Sequence, residues 1–396
     1  MVVSKSVNAS VMRSINFSTI LELIRRESPI SRSKIAERLG MSLPTVMRII
    51  DELVEEKLVV DANGTEWSGG RRRTLLKFNE SGYVVIGIDL GGTKMYGAVS
   101  DLGGTVLHEV HIERHGTTED DSFRWLVGLI EDLIEMSQRD GHAIRGIGVG
   151  APGITRSREG VVTWAPSLNW RDFPLKARLS DRFGLPVVVD NDVNLAALGE
   201  WWFGSGHAVN NLVFIAIGTG IGAGIILDGA LYRGTNEAAG EIGYLLPGRQ
   251  YLGRQYDQFG AFEGLASGTG IAERAQALLP ADHPLGKRTL TAEDVFAAQR
   301  HGEGWAQQVV DETVDYLAMG IAAVSTLFDP EMIVLGGGVS GAFDVLLQPI
   351  LNRIEGVIPL VPNLHVSTLG RRAVVMGTIT SVLHLTTDYY VLRRLI

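Results

Sequence analysis

The sequence predicts an α/β protein in two unlike parts: a small N-terminal domain of three helices and a hairpin, then a larger two-lobed body. Three observations carry this. The first 80 residues show helical periodicity punctuated by caps and end in a basic, glycine-broken β-rich run. From Tyr83 onward, apolar strands alternate with glycine turns and helices. A strand, glycine turn, strand arrangement occurs at 84 to 99 and returns at 212 to 227. At 396 residues the chain exceeds what a single core usually organises. The expected domains are 1–80, 81–200 and 201–396.

Composition narrows the chemistry. There is no cysteine, which removes disulfides, thiolate catalysis and thiolate zinc sites. No secretion signal opens the chain and no apolar run is long enough to span a bilayer, so the expectation is a cytoplasmic protein with no membrane partner. The net charge of −9 is uneven, because residues 1–80 carry 13 Lys and Arg against 10 Asp and Glu while the remainder is acidic. An acidic body repels phosphates, so any nucleic-acid contact belongs to the N-terminal domain.

Within that domain, Ile20, Leu23 and Ile24 share one helical face before a break at Ser28-Pro29. A second helix starts at the N-cap residue Ser31, buries Ile35, Ala36 and Leu39, and stops at Gly40. Ser42 caps a third, with Pro44 in its first turn and an apolar stripe of Val46, Ile49, Ile50, Leu53 and Val54. Two short helices across a glycine turn form a helix-turn-helix whose second helix offers Ser42, Thr45 and Arg48 to a DNA major groove. Two β-rich runs around Asn63-Gly64 and Gly69-Gly70 then read as the hairpin of a wing. On it Arg71, Arg72 and Arg73 can reach phosphates or a minor groove. A helical dimerisation module with solvated charges is the competing reading, disfavoured by the ordered caps and the basic wing.

In the body, the first glycine hairpin carries Asp89, Gly91, Gly92, Thr93 and Lys94, and the second carries Gly218, Thr219, Gly220 and Gly222. Neither opens a helix, so neither is a Walker loop. Two such hairpins facing one cleft can hold phosphates through backbone N–H groups, although two ordinary tight turns would look alike. Gly336, Gly337 and Gly338 end a buried strand and permit close approach of a ribose or ring. Asp192 stands where a strand meets a helix, where it can take a proton from a substrate hydroxyl. Capping of that helix by Asn191 or Asp192 is the simpler alternative.

Taken together, DLGGTK at 89 to 94, APG at 151 to 153, DNDVN at 190 to 194, GTGIGAG at 218 to 224, GEIGY at 240 to 244 and DPEMIVLGGG at 329 to 338 resemble the ROK family of sugar kinases and repressors. The resemblance implies an actin-like ATPase fold of two ribonuclease-H-like halves, with Asp89 to Lys94 and Gly218 to Gly222 as phosphate loops and Gly336 to Gly338 on the adenosine side. It makes Asp192 the catalytic base, and Asn191, Asp192, Glu241, Tyr244 and Glu263 the sugar-binding residues. Family members with a winged helix are sugar-responsive repressors. The family's zinc ligands are replaced, the histidine by Tyr244 and the cysteines by a cysteine-free segment, so zinc is not expected and no metal ligands are assigned. Tyr251, Tyr256 and Phe259 are expected to fill that region, and Ser167 stands where the family commonly has Asn.

The leading expectation is a repressor with operator DNA and a sugar effector as partners, acting as a homodimer or homotetramer and needing no cofactor for repression. The alternative is an ATP-dependent sugar kinase using ATP and Mg, alone or as a second activity.

Overall fold

The structure, a computed structural model, describes residues 9–68, 71–92, 94–113, 119–207, 209–256 and 260–386; the side chains of 9–11, 63–73, 119 and 120 lie outside the description. The N-terminal domain runs α1 (Ala9–Glu27), β1 (Ile30–Ser31), α2 (Arg32–Leu39), α3 (Leu43–Glu55), β2 (Val59–Ser68) and β3 (Arg71–Phe78). The strands form an antiparallel sheet in the order β1-β3-β2. Ile20, Ile24, Ile35, Val46, Ile49, Ile50 and Leu53 are sealed beneath it. Gly40 ends α2 at a φ of 62°, a left-handed turn that lets its N–H reach the carbonyls of Ala36 and Glu37. Ser42 caps α3 by accepting from the Thr45 amide, whereas Ser31 holds the N-cap position of α2 without a capping bond from its side chain.

Two sequence expectations need correction here. Val54 is 41% exposed, because it lies just past the edge of the stripe that Leu53 closes. Asn63-Gly64 does not turn the hairpin: β2 runs on to Ser68, and the register slip between Ala62 and Thr65 makes this a bulge. The reversal falls between Ser68 and Arg71, with Gly69 and Gly70 outside the described residues.

The first lobe contains β4 (Val84–Leu90), β5 (Lys94–Asp101), β6 (Val106–Glu113), α4 (Glu119–Arg139), β7 (Ile144–Ala151), β8 (Ile154–Arg156), β9 (Val161–Ala165), β10 (Trp170–Phe173), α5 (Leu175–Phe183), β11 (Val187–Asn191) and α6 (Asp192–Phe203). Its main sheet reads β6-β5-β4-β7-β11, with β4, β5 and β6 antiparallel and β7 and β11 parallel to β4. The second lobe contains β12 (Leu212–Ile217), β13 (Ile221–Leu227), β14 (Ala230–Leu231), α7 (Glu263–Ala266), α8 (Gly268–Leu278), α9 (Ala292–Arg300), α10 (Gly304–Phe328), β15 (Met332–Gly336), α11 (Phe343–Ile354), β16 (Leu364–Val366) and α12 (Ala373–Thr386). Its sheet reads β14-β13-β12-β15-β16 with the same directions. The repeated glycine hairpin in the sequence is thus the start of a repeated sheet, as a duplicated ribonuclease-H-like architecture requires.

Helices α6 and α12 pack against each other between the sheets, and α12 returns to cover β4 and β7. Their approach depends on two glycines. A Cβ on Gly199 would stand 2.1 Å from the Ala373 carbonyl oxygen, and one on Gly377 would stand 1.9 Å from that of Leu195. One apolar cluster runs without a break from Phe17, Leu21 and Ile24 of the N-terminal domain through Trp201 and Trp202 of α6 to Val375 and Met376 of α12. Among the described residues no helix is long and apolar enough to cross a membrane.

Candidate functional site

Four carboxyl groups converge in the cleft from separate elements: Asp89 from β4, Asp192 from the start of α6, Glu241 from the loop after β14, and Glu263 from the start of α7. Asp89 and Asp192 are partly open to the cleft yet deep enough for desolvation to dominate. Burial lifts Asp89 to about 6. Burial first, and the Asp89 charge second, lift Asp192 to about 7. Glu241 rises to about 7 through burial, then Asp192, then Glu263. Glu263 is raised by burial, opposed by amide bonds from Ile221 (2.9 Å) and Gly260 (3.3 Å). Tyr244, 41% exposed at the cleft edge, is raised by partial burial and by Glu241 and Glu263. Crowded carboxylates of this kind suit a polyol, whose hydroxyls donate into each acceptor without adding charge.

Asn191 is mainly a cap. Its Oδ1 accepts from the Asn194 amide at 3.0 Å and its Nδ2 donates to the Gly153 carbonyl at 2.9 Å. The capping alternative therefore describes Asn191, leaving one N–H and one lone pair for a ligand. Asp192 follows as the first helical residue, its Oδ1 accepting from the Val193 amide at 2.9 Å and its other oxygen unused by that turn.

The raised carboxyls make a pH prediction. Their folded pKa values exceed the unfolded ones, so their stabilising contribution is full below about pH 4 and is lost as pH rises through about 7. Asp192→Asn removes one such charge while keeping the acceptor for Val193. We predict that it raises the unliganded Tm by about 2 °C at about pH 8 and leaves it unchanged at about pH 4, as read by thermal melts at both pH values. An equal shift at both would refute the charge argument.

A cavity of about 650 Å³ is lined by Lys94, Gly218 and Thr219, expected at the phosphate loops, and by Gly338, expected on the adenosine side. The other expected glycines shape it from behind. Gly91 tightens the first hairpin against the Lys94 carbonyl, and Gly92 lies against Ser167. Gly220 leaves room for the Glu263 carboxylate, Gly222 for Val193 and Gly336 for Phe214. Gly337, at a φ of 93°, passes so close to Ile217 that a Cβ would stand 2.5 Å from its carbonyl oxygen. Gly220, Gly222, Gly336 and Gly337 are not among the residues that line this cavity, and Thr93 lies outside the described residues.

Sequence reasoning missed the N-terminus of α8. Ser267 caps it, Gly268 donates to the Gly218 carbonyl at 2.7 Å, and Gly268 and Thr269 line the cavity. The legible signal was Ser-Gly-Thr-Gly after a buried alanine, a cap followed by residues small enough for close approach. With Leu290, Phe296 and Val339 as apolar walls, these residues fit a nucleotide: amides and a helix N-terminus for phosphates, and a greasy slot for a base. Among the described residues no three His, Asp or Glu side chains converge on a metal position.

In the segment that carries no cysteine, the Tyr251 hydroxyl lies 3.4 Å from that of Tyr316, and Tyr256 donates to the Tyr251 carbonyl. Arg274 stacks over Tyr316 and pairs with Glu312 at 2.8 Å. Phe259 lies outside the described residues.

On α3, Ser42 and Arg48 are exposed and Thr45 is half-buried. Arg48 pairs with Glu52 at 3.0 Å, which also holds Arg13 at 2.9 Å. Arg71, Arg72 and Arg73 pair in register with Ser68, Trp67 and Glu66 on the wing, and their side chains lie outside the described residues. Besides the shared apolar cluster, cationic side chains tie the N-terminal domain to the body. The Arg25 guanidinium of α1 lies 4.2 Å above the Trp202 ring of α6. Arg145 of β7 lies over Tyr83 and bonds both Glu56 (3.0 Å) and the Thr386 carbonyl (2.8 Å). Across the cleft, Arg233 pairs with buried Asp190, and Glu237 accepts from the amide and hydroxyl of Ser157 at 2.6 and 2.7 Å.

Comparison with known proteins agrees with this architecture. Residues 85–380 match the ROK family model, and residues 19–60 match a winged helix-turn-helix DNA-binding model. The chain is 32% identical to the xylose repressor of Caldicellulosiruptor bescii, over 95% of this chain and 97% of that one. Its fold is similar to the crystal structure of a ROK family transcriptional regulator, a homologue of the E. coli MLC protein, with a TM-score of 0.84, 28% identity, and coverage of 96% and 97% of the two chains. It is also similar, over 75% of its length and 98% of the other, to a ROK glucokinase from Streptomyces griseus in complex with glucose and AMPPNP, at 30% identity and a TM-score of 0.65. The duplicated sheet, the cleft between its halves and the winged helix ahead of them place this chain in the ROK family, with an N-terminal winged helix-turn-helix domain.

Proposed function

We propose that the chain is a cytoplasmic, sugar-responsive transcriptional repressor of carbohydrate-metabolism genes. The observation that carries this reading is α6: its first residue is Asp192 in the carboxyl-lined cleft, and Trp202 near its last turn lies beneath Arg25 of the DNA-binding domain. One rigid helix therefore touches both sites. Sugar hydroxyls donate to Asp192, Glu241 and Glu263, with Tyr244 at the rim and the remaining N–H of Asn191 as a donor. Ligation favours one disposition of the lobes, α6 moves with it, and the winged helix follows through Trp202. In a two-fold dimer, alone or paired as a tetramer, the two α3 helices then leave the spacing of their half-sites. The sugar needs only a different affinity for the two dispositions. Resemblance to a xylose repressor supports the class of effector.

The test is operator binding by the full chain, measured by fluorescence anisotropy, against pentoses, hexoses and N-acetyl amino sugars. We predict that one sugar class weakens DNA binding about 5- to 150-fold, the usual range of allosteric coupling. The effect should vanish in Glu241→Ala. A chain that binds no DNA, or whose DNA affinity ignores every sugar, is not this repressor.

A second reading, an ATP-dependent sugar kinase, is favoured by an Asp192 oxygen left unused by the helix turn and by the 650 Å³ cavity lined by Lys94, Gly218 and Thr219. Bound ATP with Mg would supply the phosphoryl group; repression itself requires neither. Asp192 would take the proton from the sugar hydroxyl, Lys94, Gly218, Thr219 and the α8 N-terminus would hold the phosphates, and Gly338 would lie on the adenosine side. Sugar-dependent ADP release that Asp192→Asn abolishes would establish this activity beside the first.

A further inference from the structure

The outer face of α3 divides into two unlike halves. Its C-terminal half exposes Asp51 and Glu55, with Glu56 just beyond, and these carboxylates cannot face phosphates. Its N-terminal half exposes Leu43 (44%) and Met47 (46%), one helical turn apart, beside the exposed Ser42 and Arg48. Val46, Ile49, Ile50 and Leu53 already complete the buried stripe, so the domain core does not need Leu43 or Met47. The preceding helix shows the ordinary pattern, exposing Lys34, Glu37 and Arg38.

We propose that Leu43 and Met47 read the C5-methyl groups of thymines in the major groove; this rests on the DNA-binding reading above and specifies what that site recognises. The charge pattern orients the helix, because only the half bearing Arg48 can go in first against a polyanion. The base edges beneath that half then meet two apolar side chains. The thymine methyl is the apolar group that B-DNA presents in its major groove. Ser42 and Thr45 remain for phosphate or base-edge hydrogen bonds and Arg48 for phosphate or guanine, so polar and methyl readout sit side by side on one turn.

The experiment replaces thymine by uracil, which removes the methyl and nothing else. Duplexes are selected from a random pool by the full-length protein, and each thymidine is exchanged singly for deoxyuridine. At the one or two positions under α3, wild-type affinity falls about four-fold per methyl, as expected for one buried apolar carbon. In Leu43→Ala or Met47→Ala the ratio of thymine to uracil affinity at the matching position falls to about one, while ratios elsewhere hold. Uracil tolerated at every position, or ratios unchanged in both variants, overturns the proposal. A loss of self-association in place of discrimination overturns it too, assigning the pair to a protein contact. If no duplex is selected at all, the DNA-binding reading itself fails.

Discussion

Trp202→Leu is expected to give a chain that still binds sugar and still binds operator but no longer connects the two. The Trp202 ring carries the Arg25 guanidinium 4.2 Å from its centre and is 6% exposed. A cation over an indole contributes about 0.5–2 kcal/mol, depending on how dry the contact is. Coupling between sites is commonly about 1–3 kcal/mol, so this contact is large enough to supply much of it. Leucine keeps the place apolar and loses both the ring face and its reach. The ratio of operator affinities without and with sugar should fall from about 5 or more to about 1–2, while sugar affinity by calorimetry stays within about two-fold. Arg25→Met, which keeps an unbranched stem and removes the charge, should act in the same direction. If both variants respond to sugar as the parent does, the signal travels elsewhere, with Arg145 between Glu56 and Thr386 as the next route.

The largest stability change should come from Gly377→Ala. The added carbon would stand 1.9 Å from the Leu195 carbonyl oxygen and 2.6 Å from its carbon, so α12 and α6 must move apart. Relief has to come from backbone, because the obstacle is not the end of a flexible side chain. Overpacking of this kind costs about 3 kcal/mol, the upper part of the usual range. The melting temperature should drop by about 5 °C in a chain of this size. Gly128→Ala supplies the contrast: it lies in α4 with nothing within 4 Å of its Cβ position, and should hold or slightly raise stability. Equal melting temperatures for the two variants would mean that the α6–α12 contact yields more easily than its geometry indicates.

The sequence was most informative where a residue type has few uses. Gly40, Ser42 and Pro44 marked the helix-turn-helix because a left-handed stop, a hydroxyl cap and a first-turn proline are position-specific. The repeated hairpin announced a repeated sheet for the same reason. Asn63-Gly64 misled because the strongest hairpin dipeptide also makes a bulge, and only the partner strand distinguishes them. In the cleft, the carboxyls were nameable but their convergence was not, since Asp89, Asp192, Glu241 and Glu263 come from four separated segments. Gly220 and Gly336 drew attention as ligand contacts, and within the protein they also leave room for Glu263 and Phe214. A glycine written in sequence shows that something comes close; it does not show whether that is a ligand or another part of the chain. Gly199 and Gly377 are the extreme case, lying in helices where no turn explains them.

The unbroken apolar cluster from Phe17 to Met376 limits how such a protein can be rebuilt. A module joined by a mobile tether can be exchanged as a unit, because nothing of its interior depends on its neighbour. Here Phe17, Leu21 and Ile24 share their burial with Trp201, Trp202 and Val375, so a transplanted reading head would leave mismatched greasy faces on both sides of the seam. New operator preferences are better sought on the outer surface of α3, where a change touches no shared interior.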